Sequence, residues 1–198
     1  MQYDEEVMQM TPVTEAGTET PGYVAGTWDL DPVHTEVGFL VRHMMVSKVR
    51  GRFTDFKGTI HTEKSFLDST VEVSVDLNSI DTDNEQRDDH LRSGDFFEIE
   101  KYPVMTFHST GIRPKGEEFE LDGELNLHGV TRPVTLALEI NGFTKDPYGG
   151  TRSGFSAYGE ISREDFGITF NMPMDGGGVV VGDKITINIE VEATLRAE

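Results

Sequence analysis

His34 to His61 read HTEVGFLVRHMMVSKVRGRFTDFKGTIH, and the alternation of apolar and polar residues through this stretch decides the fold. A period of two sends successive side chains to opposite faces of an extended chain, so one face is buried and the other is wet. Val37, Phe39 and Val41 share one buried face and Val49, Gly51 and Phe53 another, with Met44, Met45 and Ser47 between them as a corner. The stretch predicts strand, bend and strand. It also gathers Arg42, His43, Arg50 and Arg52 beside the corner of a strongly acidic chain, which points to something polar held there.

Working outward, the same device recurs. Val71, Val73, Val75 and Leu77 face one way in TVEVSVDL, and matching sets run through Phe119–Leu127, Val134–Ile140 and Ile185–Leu195, with two more strands at Tyr102–Ile112 and Arg152–Ile161. SIDTDNEQRDDHLRSGDFFEIEKYP breaks the pattern and predicts one short helix, capped by Asp81 or Asp83 and ended near Gly94. KDPYGGT reads as a hairpin, and ITFNMPMDGGGVVVGDK as a long crossing loop placed to cover an opening. Eight or nine strands joined mostly by short turns in sequence order predict an all-β, eight-stranded antiparallel up-and-down barrel, which also removes unpaired edges. Gly38, Gly51, Gly58, Gly123 and Gly159 fall inside strands, where glycine weakens packing unless the backbone must bend or leave room. A hollow barrel needs both.

The chain has 198 residues, enough for one domain that buries roughly 70% of its unfolded surface. Its formal net charge of −19, from 36 acidic and 17 basic side chains, opposes non-specific attraction to a phosphate backbone, so no nucleic-acid partner is expected. There is no cysteine, hence no disulfide and no thiolate metal site. Residues 1–23 are rich in Thr, Glu, Pro and Gly and read as a disordered acidic arm, leaving 24–198 for the barrel. The opening MQYDEEVMQM carries acid where a leader needs base, so a cytoplasmic location is expected. No run of about 18 apolar residues predicts a transmembrane helix.

HTEVGFLVRHMMVSKVRGRFTDFKGTI, RDDHLRSGDFFEIEKYPVMTFHST, GELNLHGVTRPVTL, SREDFGI and VGDKITINIEVEA, in that order, resemble the YceI-like, polyisoprenoid-binding family over nearly everything from Trp28 to Ala193. The resemblance implies an elongated, lipocalin-like barrel whose apolar tunnel holds a long isoprenoid chain, such as an isoprenoid quinone or a prenyl pyrophosphate. It implies binding without catalytic residues. Many members are periplasmic or secreted, and pairing into a homodimer is common among them.

In such a barrel a tail supplies affinity without direction, and a few convergent donors must orient its head. The head-group candidates are Arg42, His43, Arg87 and His90. Arg42 and His43 point to opposite faces of a regular strand, so at most one faces inward, whereas Arg87 and His90 share a helix face. Arg87 also sits among Asp83, Asp88 and Asp89, where an ion-pair network is the competing reading. Phe39, Phe53, Met105, Phe107, Phe155, Phe170, Met172 and Met174 are the candidate tunnel lining, because aromatic and thioether side chains suit a methyl-branched chain. An ordinary filled core would use the same positions. Arg163, in SREDFGI, reads as part of a turn.

There is no G-x-S-x-G elbow, phosphate loop or H-E-x-x-H helix. DTDNE resembles the start of a calcium loop, but Gln86 stands where its glycine belongs. No metal, cofactor or catalytic residue is expected, and a bound isoprenoid lipid is the expected ligand. Two other functions use the same barrel: an isomerase or cyclase acting on the lipid, and a protein-binding scaffold with a filled interior.

Overall fold

The computed structural model describes residues 19–174 and 177–197. Most of the expected acidic arm, residues 1–18, lies outside the described residues. Tyr23 already rests edge-on against Phe66 and Phe143, and its hydroxyl donates to the Glu63 carbonyl at 2.6 Å.

Eleven strand segments build eight staves. β1 (Gly26–Leu30) and β2 (Glu36–His43) lie in line along β11 (Val181–Leu195), each pairing with a different part of it. β3 (Ser47–Phe53) and β4 (Phe56–Thr62) form the second broken stave, and β5 (Thr70–Asp76) with β6 (Ile80–Asp81) the third. β7 (Val104–Lys115), β8 (Glu118–Leu127), β9 (Val130–Lys145) and β10 (Thr151–Ser162) follow without a break in their pairing order. Every neighbour is antiparallel, and the ring closes where β1 meets both β4 and β11. This is the eight-stranded up-and-down barrel that the alternation predicts.

The first break has a local cause. Pro32 has no N–H for the ladder, and Thr35 repairs the gap, its hydroxyl donating to the Glu192 carbonyl at 3.0 Å and accepting from the Glu192 N–H at 3.2 Å. Between β8 and β9, His128 (φ 54°) and Gly129 (φ 73°) make a two-residue turn of the kind that matches strand twist.

The one α-helix among the described residues, α1 (Glu85–Arg92), is capped one residue after Asp83 and three after Asp81, the two predicted caps. Asn84 is the cap, its side chain accepting from the Arg87 N–H at 2.9 Å. Asp83 is held at φ 58°, outside the conformation of a capping residue, and Asp81 is taken by Arg52 at 2.8 Å. Buried Asp88 anchors the helix by accepting from the N–H and hydroxyl of Thr82.

Up-and-down connectivity sends alternate connections to opposite ends. One end, here the helix end, carries the β2–β3 turn, the α1 segment, the β8–β9 turn and the 163–180 connection. The other is plugged by Trp28, Phe66, Phe119, Phe143 and Phe155, with Trp28 wholly buried and its indole N–H donating to Thr62 Oγ1 at 2.8 Å. A second buried cluster, including Leu77, Ile80, Phe96 and Phe166, belongs to the helix end.

Candidate functional site

Between these clusters lies an apolar cavity of about 250 Å³, to which every one of the eleven strand segments contributes a side chain. Its wall is built on the inward parity of each stave, with Val37 and Phe39 from β2, Phe107 from β7, Leu125 from β8 and Ile187 from β11. Five of the eight predicted lining residues are there: Phe39, Phe53, Met105, Phe107 and Phe155. The other three stand on the 163–180 connection, outside the cavity wall. Phe170 lies edge-on between His90 and Phe96, at ring distances of 5.2 and 5.3 Å, Met172 is 51% exposed, and Met174 is half-buried.

The strand glycines explain how the wall is made. A Cβ on Gly51 would lie 2.3 Å from the Phe39 ring, one on Gly123 2.3 Å from the Phe107 ring, and one on Gly159 2.4 Å from Leu136. Each inward glycine is thus a seat in which a large side chain from a neighbouring strand lies flat against the sheet. Aromatic bulk is drawn into the wall and the axis stays clear. The room predicted at these glycines exists, and neighbouring side chains occupy it.

Among the described residues one charged side chain lines the cavity: Arg163, 4% exposed, where β10 gives way to a 3₁₀ turn at Glu164–Phe166. A buried guanidinium needs partners. It finds backbone carbonyls, with Nη1 donating to Ile168 at 2.7 Å, Nε to Gly182 at 3.1 Å and Nη2 to Val181 at 3.5 Å. Burial lowers its pKa, yet an arginine remains charged at neutral pH. All three of its nitrogens are thus engaged by backbone carbonyls, and the cavity surface beside it is almost wholly apolar. Nearby Asp183 is engaged elsewhere, accepting from Ser162 Oγ and the Glu164 N–H.

The four predicted head-group residues all belong to the helix end, outside the cavity wall. Arg42 is exposed and His43 half-buried at the end of β2. Arg87 donates to Thr82, from Nε to Oγ1 at 2.7 Å and from Nη2 to the carbonyl at 2.6 Å. His90 Nε2 stands 2.7 Å from Asp95 Oδ2. Among the described residues, no hydrogen bond or ion pair joins any two of the four.

Asp31, His34 and Glu192 converge with a spacing that suits a metal ion. A cation is already among them: Arg152 Nη1 donates to Asp31 Oδ2 at 2.8 Å and also to Glu192, while its Nε reaches Asp146 at 3.2 Å. The hydrogen bond from His34, supported by Arg152, holds the Asp31 carboxyl well below the usual carboxylate range. The arrangement is a closed ion-pair network at the rim. Among the described residues, no helix is long and apolar enough to cross a membrane.

A family model described as the YceI-like domain matches residues 28–193. Protein YceI of Salmonella newport is 41% identical over 145 residues, which cover 73% of this chain and 76% of that protein. Among solved structures, a YceI protein of Campylobacter jejuni superposes with a TM-score of 0.65 at 33% identity, over 85% of this chain and 97% of that one. A polyisoprenoid-binding domain from Saccharophagus degradans superposes with a TM-score of 0.65 over 87% of this chain and 100% of that one; at 17% identity this likeness speaks to the fold alone.

Proposed function

Because the chain belongs to the YceI-like family, we propose that it binds, stores or carries a long polyisoprenoid lipid, without transforming it. The observation that carries this reading is an apolar cavity walled by every stave, with Arg163 as its one charged lining residue among the described residues. The tail lies along the wall of Val, Ile, Leu and Phe side chains. Its oxygen-bearing head, a quinone carbonyl or a phosphoryl group, lies at the helix end, where Arg42, His43, Arg87 and His90 stand outside the cavity wall.

Size sets a condition on this reading. A cavity of about 150 Å³ holds benzene, so about 250 Å³ takes roughly ten carbons, or two isoprene units. Longer tails fit by swinging the half-buried rings and Met105 aside. Each buried methylene is worth about 0.8 kcal/mol before ordering costs, so even two units supply ample driving force.

Organic extraction of the freshly purified protein, followed by mass spectrometry, tests the reading and names the head group. The expected result is a prenylated quinone or prenyl phosphate in near-stoichiometric amount. A protein that yields no isoprenoid, and takes up neither class when offered it, would count decisively against the proposal. Turnover of the bound lipid, stopped by replacing one polar residue of the cavity, would instead establish the enzyme.

A further inference from the structure

The tip of the β2–β3 hairpin breaks two rules at once. Met44 and Met45 sit at φ 49° and 61°, the left-handed region that favours Gly, Asn and Asp. With Val46 they are also 42, 53 and 86% exposed. Neither folding nor solubility gains from large apolar side chains in that conformation at that place. The patch does not stop at the hairpin: the Met44 N–H donates to the Val180 carbonyl at 2.8 Å and the Val180 N–H to the Met172 carbonyl at 3.2 Å. Exposed Met172 and Val179 therefore lie on adjoining backbone and extend the apolar rim.

Behind the tip, on the outer face of the hairpin, stand Arg42 and Lys48, directly paired across the strands, and Arg50 two pairs further on, opposite Leu40. Five of the ten arginines are neutralised by carboxylates: Arg52 by Asp81, Arg92 by Asp89, Arg113 by Asp122, Arg152 by Asp31, Arg196 by Asp29. Among the described residues, Arg42, Lys48 and Arg50 form no ion pair. Three uncompensated cations behind an apolar tip match a bilayer of anionic phospholipid, with methionine and valine side chains entering the acyl boundary and the cations meeting phosphates. The net charge of −19 does not cancel this, because charges beyond about 10 Å are largely screened at physiological salt, whereas the tip cations touch the surface.

We propose that residues 42–50, together with Met172 and Val179, form a docking surface for an anionic phospholipid bilayer at the helix end of the barrel. The surface stands on the tip alone; its link to cargo exchange rests on the lipid-binding reading. The test is co-sedimentation of the purified full-length protein with phosphatidylcholine vesicles, with and without phosphatidylglycerol. Binding is expected with phosphatidylglycerol and is expected to weaken as salt is added.

The double substitution Met44→Asn/Met45→Gly should cut partitioning about tenfold or more while the melting temperature holds or rises, because Asn-Gly suits the turn. Replacing Arg42, Lys48 and Arg50 by serine should cost about fivefold per cation. The proposal fails if the parent protein binds neither vesicle, or if the turn variant binds as well as the parent. It also fails if the parent is a dimer that the turn variant splits, since a second copy then covers the patch. Because vesicle binding needs no cargo, extraction of the lipid separates a failure here from a failure of the tunnel reading.

Discussion

Replacing Gly123 with leucine is expected to reduce isoprenoid affinity about 100-fold or more, with the barrel still folded. An added Cβ would lie 2.3 Å from Phe107 Cζ and 2.4 Å from Cε2, distances no pair of atoms tolerates, so the ring has to leave its seat. The free space available to it is the cavity. A displaced phenyl ring alone takes the volume of a benzene, about 150 Å³ of cavity, and the leucine side chain adds four carbons more. Together they fill most of about 250 Å³. Loss of four or five buried methylenes at about 0.8 kcal/mol each gives the stated factor.

Stability should fall by only about 1–3 kcal/mol, the usual cost of overpacking. The His108 carbonyl, 2.8 Å from the new Cβ, accounts for part of that cost. Gly111→Leu is the control, because a Cβ there meets nothing within 4 Å. Titration with a prenyl alcohol reads the difference. Equal affinity in the Gly123 and Gly111 variants would mean that the ring is not displaced into the ligand's path.

The second large effect falls on Arg163. Arg163→Leu leaves the carbonyls of Ile168 and Gly182 without this donor, while the Val181 carbonyl keeps the Asn171 amide at 2.7 Å. Each buried unsatisfied acceptor costs about 1–3 kcal/mol, and relaxation recovers part of that, so roughly 3–5 kcal/mol of stability should go. Arg163→Lys should recover little, since an ammonium cannot span carbonyls arranged for a planar fork. The damage should be local before it is global: amide exchange should accelerate first around Ile168 and Val181, where the 163–180 connection is tied down. Urea unfolding with exchange mass spectrometry checks both. A leucine variant within about 0.5 kcal/mol of the parent would contradict the structural role assigned to this guanidinium.

Much of this architecture is legible in the alternation alone, because a half-buried strand writes its inner face at every second residue. The helix is visible in the loss of alternation after Ile80, and the need for interior room in the strand glycines. What stays hidden depends on partners distant in the chain. Arg163 looks like a turn residue, and is one; its burial is set by Val181 and Gly182, which only the closing of β10 on β11 brings near. Phe170, Met172 and Met174 have lining chemistry, but the path of the 163–180 connection, which composition does not encode, keeps them off the wall. Asp81, Asp83 and Asn84 can each cap a helix, and the left-handed backbone at Asp83 decides among them. That a glycine leaves space is readable, whereas which ring takes the space is a matter of register between strands.

The account rests on an interior that is empty and apolar. Crystals of the delipidated protein pressurised with xenon measure this directly, because xenon enters dry apolar cavities and marks them by anomalous scattering. Xenon is predicted between the Phe39 and Phe107 walls, along the space bounded by Val73, Leu125 and Ile187. A barrel that admits none, its axis closed by its own side chains, would contradict the account.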